Sequence, residues 1–273
     1  MPSGRGQNLL DSLFPVAPVL RIRWRGVGAA AAATVLGVVL QIGRLPAGVA
    51  TNTVWADDGS GFLGPALQHG RVGAFAIPYS GYLVSITRFM AAIATTVPLR
   101  LAAFVLGAGS ALVVCLLAGL VYLSMRGHIP SRGLRFALAA VMVLIPAVGM
   151  EVDANAANLH WYLDFAAVWV LLARPPGWGE RLVGAAICFI AAASDPLVAL
   201  LLPLAAIRLV AVRNRRDSIA VATLLAGLAV QLPFILGFHT GAAVHPSTVD
   251  LSQVFAGRVL LPMLAGDTIG QHL

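Results

Sequence analysis

The sequence predicts an all-α integral membrane protein with about seven transmembrane segments. Three observations carry that prediction. Hydrophobic residues make up 59% of the 273 residues and charged residues only 11%, whereas soluble domains carry about 25% charged residues. The mean hydropathy is +0.88, which also excludes a disordered chain, since disorder needs low hydrophobicity and high charge. The apolar residues are gathered into runs of span-like length separated by arginine clusters.

Residues 1–25 are polar and basic, a cytoplasmic N-terminus ending in Arg21, Arg23 and Arg25. Residues 26–43 are the first apolar run. Ala47-Gly48-Val49-Ala50 offers a cleavage site for a signal peptide, but the long basic region before the run and the many later runs favour an uncleaved anchor. Residues 101–124 carry no charge and form the clearest span. Runs at 134–150, 157–173, 182–194, 197–212 and 218–238 complete a module over 26–238, and 239–273 is expected to be an extracytoplasmic C-terminal segment.

The break at Ser194-Asp195-Pro196 decides the topology. One long helix over 182–212 would place Arg208, Arg213, Arg215 and Arg216 on the side opposite Arg126, Arg132 and Arg135; two short helices place both clusters on one side. The positive-inside rule selects two. Thirteen arginines then fall inside and five outside. Thirteen residues at 1.5 Å each cover only about 20 Å of a hydrocarbon core about 30 Å thick. The apex near Asp195 is therefore expected in protein or in a wet cavity.

A pI near 10.7 in a soluble protein would point to nucleic acid. Here all 18 basic residues are arginines that flank apolar runs, so they set orientation in the membrane and no nucleic-acid partner is expected. Cys115 and Cys188 sit in apolar runs without metal-ligand spacing and read as small core residues.

Residues 44–100 form an outer loop too long for a simple connection, and long ordered loops are usually functional. It holds Trp55-Ala56-Asp57-Asp58-Gly59 and Pro78-Tyr79-Ser80-Gly81-Tyr82. Within 83–97, Leu83, Ile86, Met90 and Ile93 recur at helical spacing, with Ser85 and Arg88 off that face; this predicts an amphipathic helix along the outer interface. Trp55, Tyr79 and Tyr82 suit the same depth. The second outer loop runs Glu151-Val152-Asp153-Ala154-Asn155-Ala156-Ala157-Asn158-Leu159-His160-Trp161, and Asp164 lies one helical turn beyond His160. The third outer turn holds Asp195.

Adjacent Asp57 and Asp58 repel and raise one another's pKa, which fits a general base or a cation ligand as well as a solvated Asp-Gly turn. His160 and Arg88 are candidates to bind a phosphate through charge-assisted hydrogen bonds. Asp164 and Asp195, ionisable groups at membrane depth, are functional candidates by default.

Taken in order, these motifs resemble the GT-C superfamily of membrane glycosyltransferases, particularly its actinobacterial members, over residues 20–260. Asp57 and Asp58 occupy the place of that family's first acidic motif, and Glu151 and Asp153 that of its second; Pro78–Arg88 and Asn158-Leu159-His160-Trp161 are similar as well. The resemblance implies transfer of a sugar from a polyprenyl-phosphate donor to a glycan, lipid or protein acceptor of the cell envelope, on the outer face of the plasma membrane. It implies Asp57, with Asp58 next, as base; Arg88 and His160 on the donor phosphate; and Glu151, Asp153, Asn158 and Asp195 on sugar, acceptor or cation. A divalent cation, Mg or Mn, would fall to Asp57, Glu151 and Asp153. No glycine-rich nucleotide motif appears, in keeping with a lipid-linked donor. Family members usually continue with further spans or a soluble domain, so a minimal or truncated member is one expectation. A transporter or lipid-carrier flippase and a non-catalytic membrane scaffold are the competing readings.

Overall fold

The computed structural model describes residues 12–20, 24–46, 48–144, 154–212 and 214–237. Glu151, Asp153, Arg213 and the segment 239–273 lie outside the described residues. The described chain is helical, with no named strand. Eight helices organise it: α1 (Trp24–Arg44), α2 (Ser85–Ala94), α3 (Ala102–Ser124), α4 (Arg132–Leu144), α5 (Leu159–Leu172), α6 (Trp178–Ala192), α7 (Leu202–Ala211) and α8 (Ile219–Gly237).

Each of the seven apolar runs contains helix among its described residues, but the expectation of about seven spans is corrected. Among the described residues three helices are long and apolar enough to cross a membrane: Trp24–Arg44, Leu99–Gly127 and Ile219–Gly237. The others are shorter. α4 has 13 residues, α5 has 14 and α6 has 15. At 1.5 Å per residue, α5 extends about 21 Å, short of a hydrocarbon core of about 30 Å. These three membrane-length helices mark the chain as a membrane protein.

α3 is the hub. It packs against α1, α2, α4 and α5, while α6 joins α5 to α8. Its fully buried residues, among them Leu106, Ala111, Val114 and Val121, run the length of the helix. The core between α5, α6 and α8 is rich in alanine, including Ala166, Ala167, Ala191 and Ala192. Small residues let helix backbones approach closely, which is the main source of packing between helices in lipid. One close approach to a backbone is at Gly227: a Cβ there would stand 2.6 Å from the Phe189 carbonyl oxygen and 2.7 Å from the Ala192 Cβ.

The chain breaks where Ser194-Asp195-Pro196 predicts. α6 ends at Ala192, a 3-10 turn covers Pro196–Leu201, and α7 follows. Asp195 caps that turn by accepting the Leu197 amide at 2.8 Å, and Pro196 has no amide to leave unpaired there. The arginine ends of the two pieces meet. Arg181, at the start of α6, places Nε 3.3 Å from Asp217 Oδ1, and Arg208, near the end of α7, donates to the Asp217 carbonyl at 3.1 Å. The start of α6 and the end of α7 therefore meet at Asp217.

α2 is shorter than the periodicity predicts and turns differently. Thr87, Arg88, Met90, Ala91 and Ala94 are buried, while Phe89 and Ile93 are exposed. Arg88 thus lies on the inward face, contrary to the expectation that it stands off the buried side; the reason is that its guanidinium has backbone partners inside.

Replacing Gly227 with valine should cost about 1–3 kcal/mol through overpacking against the α6 backbone, read as a lowered Tm of the protein in detergent. Gly28→Ala, at a position with nothing within 4 Å of a new Cβ, should leave Tm unchanged.

Candidate functional site

At the end of the helices opposite the arginines, the two outer loops interlock. Asp58 opens a π-helical turn, Asp58–Leu63; such wide turns are rare and concentrate at functional sites. Asp58 is 2% exposed. Its Oδ1 accepts the Ala157 amide at 2.8 Å and its Oδ2 the Ala156 amide at 3.1 Å. The Ala156 carbonyl accepts from Thr87 Oγ1 of α2 at 2.8 Å, and the Ala157 carbonyl from His160 Nδ1 at 2.8 Å. The chain entering α5 is thus held from three sides. Burial pushes the Asp58 carboxyl up to about 6; the Asp57 charge adds to the rise and the two amides oppose it.

Asp57, the preceding residue, is exposed. The backbone turn that buries one carboxylate presents the other. Across from it stands a tight hairpin. Ser80 (φ 50°) and Gly81 (φ 88°) are both left-handed, and Tyr79 and Tyr82 exchange both backbone hydrogen bonds at 2.8 and 3.2 Å. Positive φ at both central positions defines a type I′ turn. Tyr79 packs at a tilt on Phe62 at 4.8 Å between centroids, and its phenol lies close enough to feel the Asp57 carboxylate. Its phenol is pushed up to about 12 by burial and by that carboxylate. The half-buried Tyr82 is raised by burial and by two charges, Asp195 and Asp57. Gly61 is required beside this hairpin, because a Cβ would meet the Tyr79 ring at 2.8 Å.

Asp195 brings in the third outer turn. Its Oδ2 lies 3.6 Å from His160 Nε2, and its charge acts on Asp164. His160 Nδ1 faces a carbonyl, which only accepts, so that nitrogen carries a proton. Asp195 is thus near both His160 and Asp164. Asn158 occupies the position before α5, and its carbonyl accepts the Trp161 amide at 3.3 Å.

Arg88 is occupied elsewhere. It is 1% exposed; Nη1 donates to the Gly61 carbonyl at 2.9 Å, Nη2 to the Ile77 carbonyl at 2.8 Å, and the guanidinium lies 4.8 Å from the Phe62 centroid. It ties the π-helical turn to the hairpin, and this geometry gives it a positioning role in place of phosphate contact. Among the described residues no three His, Cys, Asp or Glu side chains converge as metal ligands. The implied cation set, Asp57 with Glu151 and Asp153, retains one described member, and the carboxylate nearest to Asp57 in sequence is spent on two amides.

Sequence reasoning missed Gln231. It is fully buried in α8, accepts the Leu83 amide at 2.9 Å and donates to the Leu83 carbonyl at 2.8 Å. Ser194 was missed as well: its hydroxyl accepts the Ile86 amide at 3.0 Å and pairs with Ser85 Oγ at 2.9 Å. Both anchor the start of α2. A lone glutamine inside an uncharged apolar run was the available signal, since an amide in lipid must find a partner. No protein family, curated protein or solved structure matches this chain.

Two outcomes follow. Gln231→Ala leaves the Leu83 amide and carbonyl unpaired, at a cost of about 1–3 kcal/mol for each buried group, and should lower Tm in detergent. For Asp58, the native pKa near 6 lies above the ordinary 3.8, so the folded state holds this proton more tightly. The contribution of Asp58 to stability is then greatest below about pH 4, declines as pH rises to about 6, and is level above that. The Tm advantage of wild type over Asp58→Asn should shrink across that window.

Proposed function

We propose that this protein is a multi-pass membrane glycosyltransferase of the GT-C type, which moves a sugar from a polyprenyl-phosphate donor onto an acceptor hydroxyl. The observation that carries the reading is the exposed Asp57 carboxylate, held beside the Tyr79–Tyr82 hairpin by a neighbour, Asp58, that is itself locked into the second loop. A base for this chemistry needs one free carboxylate on a rigid mount.

In this reading Asp57 takes the acceptor's proton as the new bond forms at the anomeric carbon. The bond from that carbon to the phosphate oxygen breaks, and polyprenyl phosphate leaves with the electron pair. One displacement through an oxocarbenium-like state inverts the anomeric centre. With Arg88 committed to backbone carbonyls, the donor phosphate falls to His160 and the tyrosine hydroxyls, which would act where charge builds up. Asp195 and Asn158 would meet sugar or acceptor hydroxyls. The arginine bias supports a cytoplasmic N-terminus and an extracytoplasmic site in the plasma membrane. The finer topology belongs to this proposal too: seven helical segments, the shorter ones crossing only part of the bilayer.

A second reading, a transporter or lipid-carrier flippase, draws on the buried His160–Asp195–Asp164 cluster, because proton-sharing groups at membrane depth are what coupled transport uses.

The test is sugar transfer in membranes containing the full chain, with a panel of polyprenyl-phosphate sugars and released polyprenyl phosphate followed by mass spectrometry. Asp57→Asn should reduce release at least about 100-fold, the usual worth of a positioned base, while Tm stays unchanged. Release that survives Asp57→Asn removes Asp57 as base. Absence of release from folded wild type, with transport in sealed vesicles that Asp195→Asn abolishes, would establish the second reading instead.

A further inference from the structure

The arginine-rich end holds a cavity of about 360 Å³ between the ends of α3 and α5, the starts of α6 and α8, and the segment around Ala17 and Leu20. It is remote in the chain from the loops that carry Asp57 and plays no part in the chemistry above. Arg126, Arg181, Arg208 and Arg216 line it, against only two carboxylates, Glu180 and Asp217. The carboxylates are oversubscribed. Glu180 pairs with Arg126. Asp217 is approached by Arg174 at 3.7 Å and Arg181 at 3.3 Å, and its carbonyl takes the Arg208 Nε. Arg216 is exposed and has the Trp178 ring at 5.8 Å, as does Arg181. A surplus of positive charge therefore surrounds the cavity.

The walls are of a different kind. Leu120 and Val170 lie inside, and the mouth is framed by Leu20 and Val183, which are 38% and 52% exposed. Leu182, beside Val183, is 55% exposed, and Trp178 is half exposed. Exposed apolar side chains thus adjoin the arginines, and Trp178, next to the lining residue Gly179, is of the kind that sits at headgroup level. We propose that this cavity is a binding site for the headgroup of an anionic phospholipid: the phosphate lies between Arg181 and Arg216, and the acyl chains run along Leu20 and Val183. The lipid supplies the negative charge that the protein's own two carboxylates do not, and it covers the exposed apolar side chains with hydrocarbon.

The experiment places the full-length protein in phosphatidylcholine nanodiscs that contain phosphatidylglycerol, with bromine on the chains of one lipid at a time. The readout is the quenching of Trp178, taken as the difference between wild type and Trp178→Phe. Brominated phosphatidylglycerol should quench Trp178 more strongly than brominated phosphatidylcholine at equal content. Each arginine near a membrane surface contributes about a fivefold preference for anionic lipid. Arg216→Gln should therefore reduce the preference about fivefold, and Arg181→Gln with Arg216→Gln should remove it. Arg132→Gln, an exposed arginine that does not line the cavity, should leave it intact, and millimolar inorganic phosphate should not compete. Equal quenching by the two lipids in wild type would overturn the proposal without any variant. Loss of the preference in Arg132→Gln would reduce it to a diffuse surface field. Displacement by inorganic phosphate would make it a soluble-anion site. Arg216 is exposed and makes no contact with the carboxylates, so Arg216→Gln keeps the test valid if the double variant fails to fold.

Discussion

The Asp58 carboxylate is the interaction on which the loop-bearing end depends. It is buried, it accepts two consecutive amides, and those amides lie almost a hundred residues away. Burying a carboxylate is costly unless its oxygens are satisfied, and the two amides that satisfy it lie just before α5 begins, where Asn155 Oδ1 shares the Ala157 amide at 2.8 Å. One group thereby solves two problems, its own burial and the amides at a helix entrance. The other contacts between the loops are built around that bond: Thr87 on the Ala156 carbonyl, His160 on the Ala157 carbonyl, and Arg88 across Gly61 and Ile77.

The two ends of the molecule handle charge in opposite ways. Near Asp57, carboxylates outnumber nearby cations, and neutral groups stand against them: the Tyr79 phenol near Asp57, and two backbone amides on Asp58. Near Asp217, arginines outnumber carboxylates, and the excess is absorbed by backbone carbonyls at helix ends. Arg208, for example, donates to the carbonyls of Leu171, Ala173 and Asp217. Carbonyls at a C-terminus carry partial negative charge, so the arginines that set orientation also close off α5.

Much of the fold was legible in sequence because its causes are local. An uncharged run such as 101–124 becomes a helix since only a helix satisfies its own backbone in an apolar medium. Asp195-Pro196 ends one helix and caps the next turn through a proline ring and a carboxylate two residues from its amide. The number of membrane-length helices was less legible, because a run of apolar residues does not say how many of them stay in one straight helix. In the site, the acidic pair, the tyrosine hairpin and His160 were all visible. Their assignments were not, and Arg88 is the plainest case. Its spacing placed it off the buried face, yet the face turned inward, because two carbonyls on other segments were there to receive the guanidinium.

By itself the sequence determined a helical membrane protein, an arginine-rich and an acidic end, and a break at Asp195. Composition, run length and proline act through bonds within a few residues of one another, so no tertiary knowledge is needed to read them. Only the tertiary structure decided that Asp58 is the anchor and Asp57 the open carboxylate, that Gln231 holds Leu83 from 148 residues away, and that four arginines share one cavity. Two adjacent aspartates are chemically the same until a turn points one inward, and which one that is depends on where the amides of a distant loop come to rest.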